Sequence, residues 1–302
     1  MTHPMASLHE KAEFLGFQIL RIPFVVLPRL FCLAIGGVLG SLVYHIDRKH
    51  RKIAHSNLIT AFGDGLPNTE LKKIAKASFR HFGRVFADIV KVRHMKKDKV
   101  LDLLSIEGSE HLEKAMLEGK GVLIFSAHLG NWEMATAPVS RAGKVNVIAR
   151  PLDNKMLEKE LLHIRKKWGA NVIYKQQAAR SILRALRANE MVAILIDQNT
   201  VRNQAVFVDF FGRSAATTPS LAVFFLKTRA PLIPVFCYPC QKGMYHVKIH
   251  PPLEISITGK EEQDILKITQ LCTKIIQSQI EENPQIWLWF HNRWKTRPEG
   301  EN

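Results

Sequence analysis

Gly121-Val-Leu-Ile-Phe-Ser-Ala-His128-Leu-Gly-Asn-Trp-Glu133 is the stretch on which the reading of this chain turns. Its apolar half, Val122 to Ser126, is a short continuous hydrophobic run of the kind that forms a strand buried on both faces. The run then gives way to an imidazole, a Gly-Asn pair and a carboxylate. His128 and Glu133 are therefore presented where a strand passes into a loop, a common setting for functional side chains. On one continuous helix, residues five apart diverge by roughly 140°. With a turn at Gly130 and Asn131 between them, the two side chains are expected to meet. A carboxylate on one ring nitrogen fixes the tautomer and raises the basicity of the other. The pair reads as a general base, His128, oriented by Glu133 and aimed at a hydroxyl.

Outward from this stretch, strands and helices alternate. Apolar runs at Val145 to Ala149, Asn171 to Tyr174, Met191 to Ile196, Pro231 to Tyr238 and Tyr245 to Ile249 read as strands. Helical spacing appears from Lys155 to Trp168, closed by Gly169, and from Ser181 to Ala188. Thr218-Pro219 opens another helix, and a long apolar stripe runs from Glu261 to Asn283 before Pro284. Upstream, Asn68 caps an expected helix carrying Leu71, Ile74, Phe79, Phe82, Phe86 and Ile89, with Gly83 inside it. The expected fold is α/β, with a mostly parallel central sheet flanked by helices. In such sheets functional groups gather beyond the carboxyl ends of the strands. Arg150 and Asp197 fall at such ends, as His128 does.

The hydrophobic content of 46% and the charged fraction of 23% exclude wholesale disorder. The formal net charge of +16 attracts nucleic acid, an anionic membrane or an acidic protein without choosing among them. The basic residues are scattered and no nucleic-acid-binding signature is present, so a membrane-anchored nucleic-acid binder is the disfavoured reading. Cys237-Tyr-Pro-Cys240 is formally a C-x-x-C, but no second pair completes a zinc site, and small residues at a strand end explain it better.

Residues 14–46 are the most hydrophobic part of the chain, interrupted by Arg21 and Arg29. Leu30 to Ile46 is uncharged, at the short edge of what spans a bilayer, and Arg48, Lys49, Arg51 and Lys52 follow at once. A signal peptide would carry its basic residues on the other side. A buried pair of soluble helices is the alternative to a single membrane anchor that spans or lies in the interface. Residues 1–52 are thus expected to form a hydrophobic anchor with a basic flank, and residues 53–302 one catalytic domain on the cytoplasmic face. Gly36 and Gly40 form a G-x-x-x-G that lets helices approach closely.

The segment Gly119-Lys-Gly-Val-Leu-Ile-Phe-Ser-Ala-His-Leu-Gly-Asn-Trp-Glu133 resembles the first block of the bacterial lipid A biosynthesis acyltransferases, the late lauroyl and myristoyl transferases of the lysophospholipid acyltransferase superfamily. Further blocks resemble theirs in order: Ala149-Arg-Pro-Leu-Asp-Asn154, Ile196-Asp-Gln-Asn199, Phe207-Val-Asp-Phe-Phe-Gly212 with Thr218-Pro219, and Asn283 to Pro298. The resemblance implies a glycerolipid-acyltransferase-like fold at the cytoplasmic face of the inner membrane. It implies transfer of a fatty acyl chain from acyl carrier protein to a hydroxyl of a lipid A precursor, with His128 as base and Glu133 orienting it. Another glycolipid, such as a phosphatidylinositol mannoside, is the alternative acceptor, and hydrolysis by water a third outcome. No cofactor is expected, because the thioester donor is already activated. Arg165 matches the family's arginine after the Arg-Pro block, and Asp197 with Gln198 matches an Asp-Gln pair assigned to substrate positioning. Arg150 is a second candidate for phosphate or carboxylate contact. Asn131 and the Gly130 backbone are candidates for the oxyanion. Phe207, Phe210, Phe211, Phe224 and Phe225 are candidates to line an acyl tunnel, against their use as core.

Overall fold

The computed structural model describes residues 7–63, 65–175 and 178–300; the outermost residues of the two expected segments, 1–6 and 301–302, lie outside it. Helices α1 (Leu8–Val26), α2 (Arg29–Ile46), α3 (Arg48–Phe62), α4 (Asn68–Val92) and α5 (Lys97–Leu101) come first. Then follow β1 (Leu104–Glu107), α6 (Ser109–Leu117), β2 (Val122–Ser126), α7 (Trp132–Val139), β3 (Val145–Ala149), α8 (Lys155–Lys167), β4 (Ala170–Tyr174), α9 (Ala178–Arg187) and β5 (Met191–Leu195). The chain continues with β6 (Val206–Phe210), β7 (Arg213–Thr217), α10 (Ser220–Thr228), β8 (Leu232–Pro239), β9 (Tyr245–Ile249) and α11 (Glu261–Glu282). Every strand expected from the apolar runs is present. Strand β1 and the β6–β7 hairpin were not foreseen, because neither shows a clean apolar run.

The central sheet has the order β1-β9-β8-β2-β5-β3-β4. All neighbours are parallel except β8 and β9, which form an antiparallel pair. Alternate residues of β2 enter different cores. Leu123 and Phe125 pack with residues of α9, α10 and α11, such as Leu186, Phe224 and Ile276. Val122 and Ile124 pack with residues of α6, α7 and α8, such as Leu112, Met134 and Ile164. That two-sided burial is why the strand reads as an unbroken hydrophobic run rather than an alternating one.

The placement of β2 beside β5 positions the site. Their parallel register pairs Ser126 with Leu195. Carried two residues further, the same register sets His128 opposite Asp197, just past the hydrogen-bonded ladder.

The hydrophobic N-terminal segment is two helices broken at Pro28, not one. Helix α2 is long and apolar enough to cross a membrane by length and composition, with 28% of it buried. It lies directly on α4, and glycines on both helices make this possible. A Cβ on Gly83 would collide with the Gly36 carbonyl oxygen and stand 2.8 Å from the Gly40 backbone. A Cβ on Gly40 would meet the Phe79 carbonyl. Gly83, which as a mid-helix glycine argues against a helix, is therefore the contact that seats α2. The G-x-x-x-G finds its partner within the same chain. Arg29, the first residue of α2, adds a buried ion pair to Asp88 of α4, with Nε–Oδ1 at 2.6 Å and Nη2–Oδ2 at 2.7 Å. The segment expected as a hydrophobic anchor packs, through α2, onto α4.

Replacing Gly83 by Ala should improve intrinsic helix propensity by about 1 kcal/mol. The clash with backbone atoms, which cannot swing aside, should outweigh this and cost a further 2–3 kcal/mol or so. Urea unfolding of Gly83→Ala should show a net loss of stability; a gain would mean that α2 and α4 do not touch here.

Candidate active site

His128 lies two residues beyond β2 and Asp197 two residues beyond β5. His128 Nδ1 is 2.8 Å from Asp197 Oδ1, and the His128 backbone N–H donates to Oδ2 at 2.8 Å. Trp287 Nε1–H donates to the same Oδ2, also at 2.8 Å. The Asp197 side chain is 1% exposed and that of His128 19%. Burial pushes the Asp197 carboxyl up, but the His128 imidazole and these hydrogen bonds prevail and hold it below the ordinary carboxylate value. An ionised acceptor at Nδ1 makes that nitrogen the N–H and leaves Nε2 with its lone pair. Nε2 points to the open side, where the Gln198 amide lies 3.4 Å away. This arrangement can serve as a general base, and the expected contact is corrected: the carboxylate that meets the His128 ring is Asp197, not Glu133.

Glu133 is turned elsewhere by the fold. It sits in the first turn of α7, with 10% of its side chain exposed, and meets Arg165 of α8 in a fork-to-fork pair: Nη2–Oε1 at 2.5 Å and Nε–Oε2 at 3.1 Å. Burial lowers the affinity of the Arg165 guanidinium for its proton, but the Glu133 charge and hydrogen bonds leave it above its ordinary value. The turn foreseen at Gly130-Asn131 exists. It sends the two side chains to different partners because β5 offers a carboxylate beside His128 and α8 offers a cation beside Glu133.

The other expected site residues divide. Arg165 and Gln198 join the site as described. Arg150 is exposed at the end of β3, where it pairs with Asp153 at 3.4 Å. Asn131 and the Gly130 backbone are not oxyanion donors. The Gly130 N–H donates to the Ile286 carbonyl and the Asn131 N–H to the Cys237 carbonyl, each at 3.0 Å. The Asn131 side chain is fully buried and donates to the Tyr245 hydroxyl at 3.1 Å, which in turn donates to Asp88 at 2.8 Å. Asn131 is thus the inner end of a polar chain that starts at Arg29 on α2. Cys237 is buried beside it with its thiol pushed far up by desolvation, which disfavours a reactive thiolate.

Gly130 itself is fixed twice over. Its φ is +63°, and a Cβ there would run into the Cys237 carbonyl oxygen. His81 of α4, buried and 3.1 Å from the Gly130 carbonyl, donates Nε2–H to it. Desolvation pushes the His81 pKa down to about 4, so the ring stays neutral at neutral pH.

The segment after α11 closes the site. The Leu288 N–H donates to the His128 carbonyl at 3.1 Å, and the Asn199 N–H donates to His291 Nε2 at 3.0 Å. Arg293, fully buried, donates to the Ala216 carbonyl at 2.6 Å and the Thr217 hydroxyl at 2.5 Å. The signal for Trp287 and Arg293 is in the sequence, in the block from Asn283 to Pro298, but nothing in it says which carboxylate Trp287 supports.

A narrow apolar slot of about 80 Å³ opens between Glu133, Arg165 and Trp132 and runs under α7. The Trp132 ring also packs edge-on to His128, with centroids 4.9 Å apart. The slot follows one face of the sheet. Ser126 and Leu195 line its outer end, and Ile124 and Ala193 lie two residues further in. Ile124, Ala193 and Val147 stand in register across three strands, and Ala193 is the small residue in the middle of that row. The phenylalanines expected to line an acyl tunnel do not line this slot. Phe210, Phe224 and Phe225 are buried in the core on the other side of the sheet, and Phe207 and Phe211 are only partly buried.

Together these features define a site for acid–base chemistry: a carboxylate-held histidine at the carboxyl edge of an α/β sheet, with an apolar slot alongside. Residues 4–296 match the family described as bacterial lipid A biosynthesis acyltransferase. The chain belongs to that family and is an acyltransferase. It is 26% identical over 270 residues to a lipid A biosynthesis acyltransferase of Haemophilus influenzae, covering 88% of this chain and 82% of that one. It is 25% identical to a lipid A biosynthesis palmitoleoyltransferase of Escherichia coli, covering 92% and 90%. It is 26% identical to a phosphatidylinositol mannoside acyltransferase of Mycobacterium tuberculosis, covering 72% and 69%.

Asp197→Asn should keep the fold but favour the wrong imidazole tautomer, lowering the acyl-transfer rate by about 10³- to 10⁴-fold. Glu133→Gln should instead destabilise the protein by about 3–5 kcal/mol, because Arg165 is left buried without its counter-charge. Measured rates and unfolding midpoints that reversed this order would return the orienting role to Glu133.

The low pKa of His81 also has a readable effect on stability. Between about pH 6.5 and 4 the unfolded chain binds a proton that the folded chain refuses, so stability falls as pH falls. From pH 7 to 5 the loss should be about 2 kcal/mol from this residue. His81→Gln, which keeps an N–H donor, should show that much less acid sensitivity in denaturant titrations at the two pH values.

Proposed function

We propose that the protein transfers a fatty acyl chain from an acyl carrier protein thioester to a hydroxyl of a lipid A precursor at the cytoplasmic face of the inner membrane. The observation that carries the reading is the His128–Asp197 pair, with Nε2 directed to the side where Gln198 lies, beside an apolar slot lined by Trp132. A few methylenes of the donor's acyl chain enter the slot, whose volume of about 80 Å³ holds only part of a fatty chain, and the thioester carbonyl comes to rest near His128. Nε2 takes the proton of the acceptor hydroxyl as its oxygen attacks that carbonyl. The tetrahedral intermediate collapses, the thiolate leaves, and the imidazolium returns the proton to sulfur. Asp197 stabilises the transient imidazolium, as its counterpart does in serine hydrolases. Gln198 lies beside Nε2, where it positions the incoming hydroxyl. The Glu133–Arg165 pair keeps the slot mouth in shape and leaves a cation beside the bound ester.

The high net positive charge suits an acidic carrier protein and an acceptor bearing phosphates. The exposed apolar residues of α2, Phe31, Val38, Leu39 and Leu42 among them, suit a membrane seat. The likeness to phosphatidylinositol mannoside acyltransferases supports a second reading, in which the same chemistry acts on another glycolipid.

Purified protein should be given a mixed pool of acyl carrier thioesters and a lipid A precursor, with products read by mass spectrometry. The expected product is a single added acyl ester, abolished by His128→Ala. Release of free fatty acid with no acylated lipid would overturn the transfer. Lipid A of a deletion strain should lack one acyl chain; an unchanged acyl count would favour the other acceptor class. Ala193→Leu should fill the middle of the slot. At about 0.8 kcal/mol per methylene, loss of room for two methylenes should shift preference about tenfold toward shorter donors.

A further inference from the structure

A second and much larger cavity lies away from His128. It is a cleft of about 910 Å³ between α2, α4 and the tip of the β8–β9 hairpin, closed at one end by Gln285 and Ile286. Its apolar wall comes from α2, through Leu30, Leu33 and Ala34. Leu30 is more than half exposed, as is Phe31 beside it, so this wall is continuous with the apolar outer surface of α2. The opposite wall is basic. Arg80 and Arg84 of α4 and Lys242 of the hairpin line it, and no carboxylate does. Among the described residues no salt bridge engages these cations.

The two arginines are one helical turn apart, a placement at which like charges repel. They are held there by the fold. Their stems cross α2 at Gly37, where a Cβ would stand 3.0 Å from Arg84 Nε and 3.4 Å from Arg80 Cγ. The Arg84 guanidinium is pushed below its ordinary pKa, first by burial and then by the Arg80 charge. Helix α4 separates the cleft from the base. Ala77, Arg80, His81 and Arg84 face the cleft, while Phe82 packs against Trp132 and Phe290.

We propose that this cleft binds one anionic phospholipid of the surrounding bilayer. The headgroup phosphate bridges Arg80 and Arg84, with Lys242 at its edge, and an acyl chain lies along Leu30, Leu33 and Ala34. Paired arginines are suited to a phosphate's oxygens. The apolar wall selects a lipid over free phosphate, and its continuity with the outer face of α2 gives a lipid a lateral route in. An acidic protein surface has the charge but not the chain to fill such a cleft. The site is distinct from the acyl slot, and its ligand is bound rather than consumed. It places a bilayer lipid against His81 and Tyr245, which both line the cleft and support the loop carrying His128.

The test uses the whole protein in detergent micelles and phosphatidylglycerol with a diazirine in its acyl chain, against the matching phosphatidylcholine. Labelling needs no turnover, so its outcome is independent of the acyl-transfer reading. Peptide mapping should find phosphatidylglycerol label on residues 30–34 and 239–245, about tenfold above phosphatidylcholine. Arg80→Ala/Arg84→Ala should fall to the phosphatidylcholine level, and Arg80→Lys/Arg84→Lys should recover most of the signal. Circular dichroism of each variant should match the parent. Equal labelling by both lipids, label confined to other segments, or undiminished label in a folded double-alanine variant would overturn the site. So would full competition by millimolar inorganic phosphate, or protection by acyl carrier protein with no lipid competition.

Discussion

The buried carboxylate of Asp197 is the constraint around which the site is arranged. An ionised carboxylate removed from water is tolerated only when its oxygens are occupied by donors. Here the backbone and ring of His128 and the indole of Trp287 provide them. The partners come from different parts of the fold: the donors His128 and Trp287 from just past the end of β2 and from the segment after α11, and the acceptor Asp197 from just past the end of the neighbouring β5. Satisfying one anion therefore fixes three pieces of chain relative to one another. The same bonds set the imidazole tautomer, so stability and chemistry share one interaction.

The loop that carries His128 is held from every side. The carbonyls of Cys237 and Ile286 take its N–H groups, and His81 donates to its outward-facing carbonyl. Asn131 connects it through Tyr245 and Asp88 to Arg29 at the start of α2. A base needs its geometry fixed before the substrate arrives, and this loop is preorganised by contacts that spend its backbone donors. That expenditure is also why neither Gly130 nor Asn131 is free to bind an oxyanion.

The central strands β2, β5 and β8 were readable in the sequence because they are apolar runs buried or nearly so on both faces. His128 and Asp197 were readable as strand-end residues for the same reason. Their pairing was not, because it depends on β2 and β5 being neighbours in register, and strand order is not written in local periodicity. Proximity in sequence favoured Glu133, five residues away, over Asp197, sixty-nine away. The long-range partner won because adjacent parallel strands bring their ends together, whereas the turn at Gly130 points Glu133 toward α8. Gly83 shows the converse: a residue that weakens a helix in isolation is what allows two helices to touch. Phe210, Phe224 and Phe225 proved to be core, as bulky aromatics in such folds usually are. The apolar slot is lined instead by Ala193, a small residue whose place appears only when its neighbours on β2 and β3 are known.

The strap from Pro284 to Arg297 has a consequence in time as well as in space. It is synthesised after every strand of the sheet, whereas α1 and α2 are synthesised before them. Chains fold from their N-terminal side as they emerge. Helix α2, with its exposed apolar side chains, therefore exists while the carboxylate beside His128 still lacks its indole donor and the loops their closing bonds. The order of synthesis places the exposed apolar surface of α2 ahead of the last hydrogen bond to Asp197.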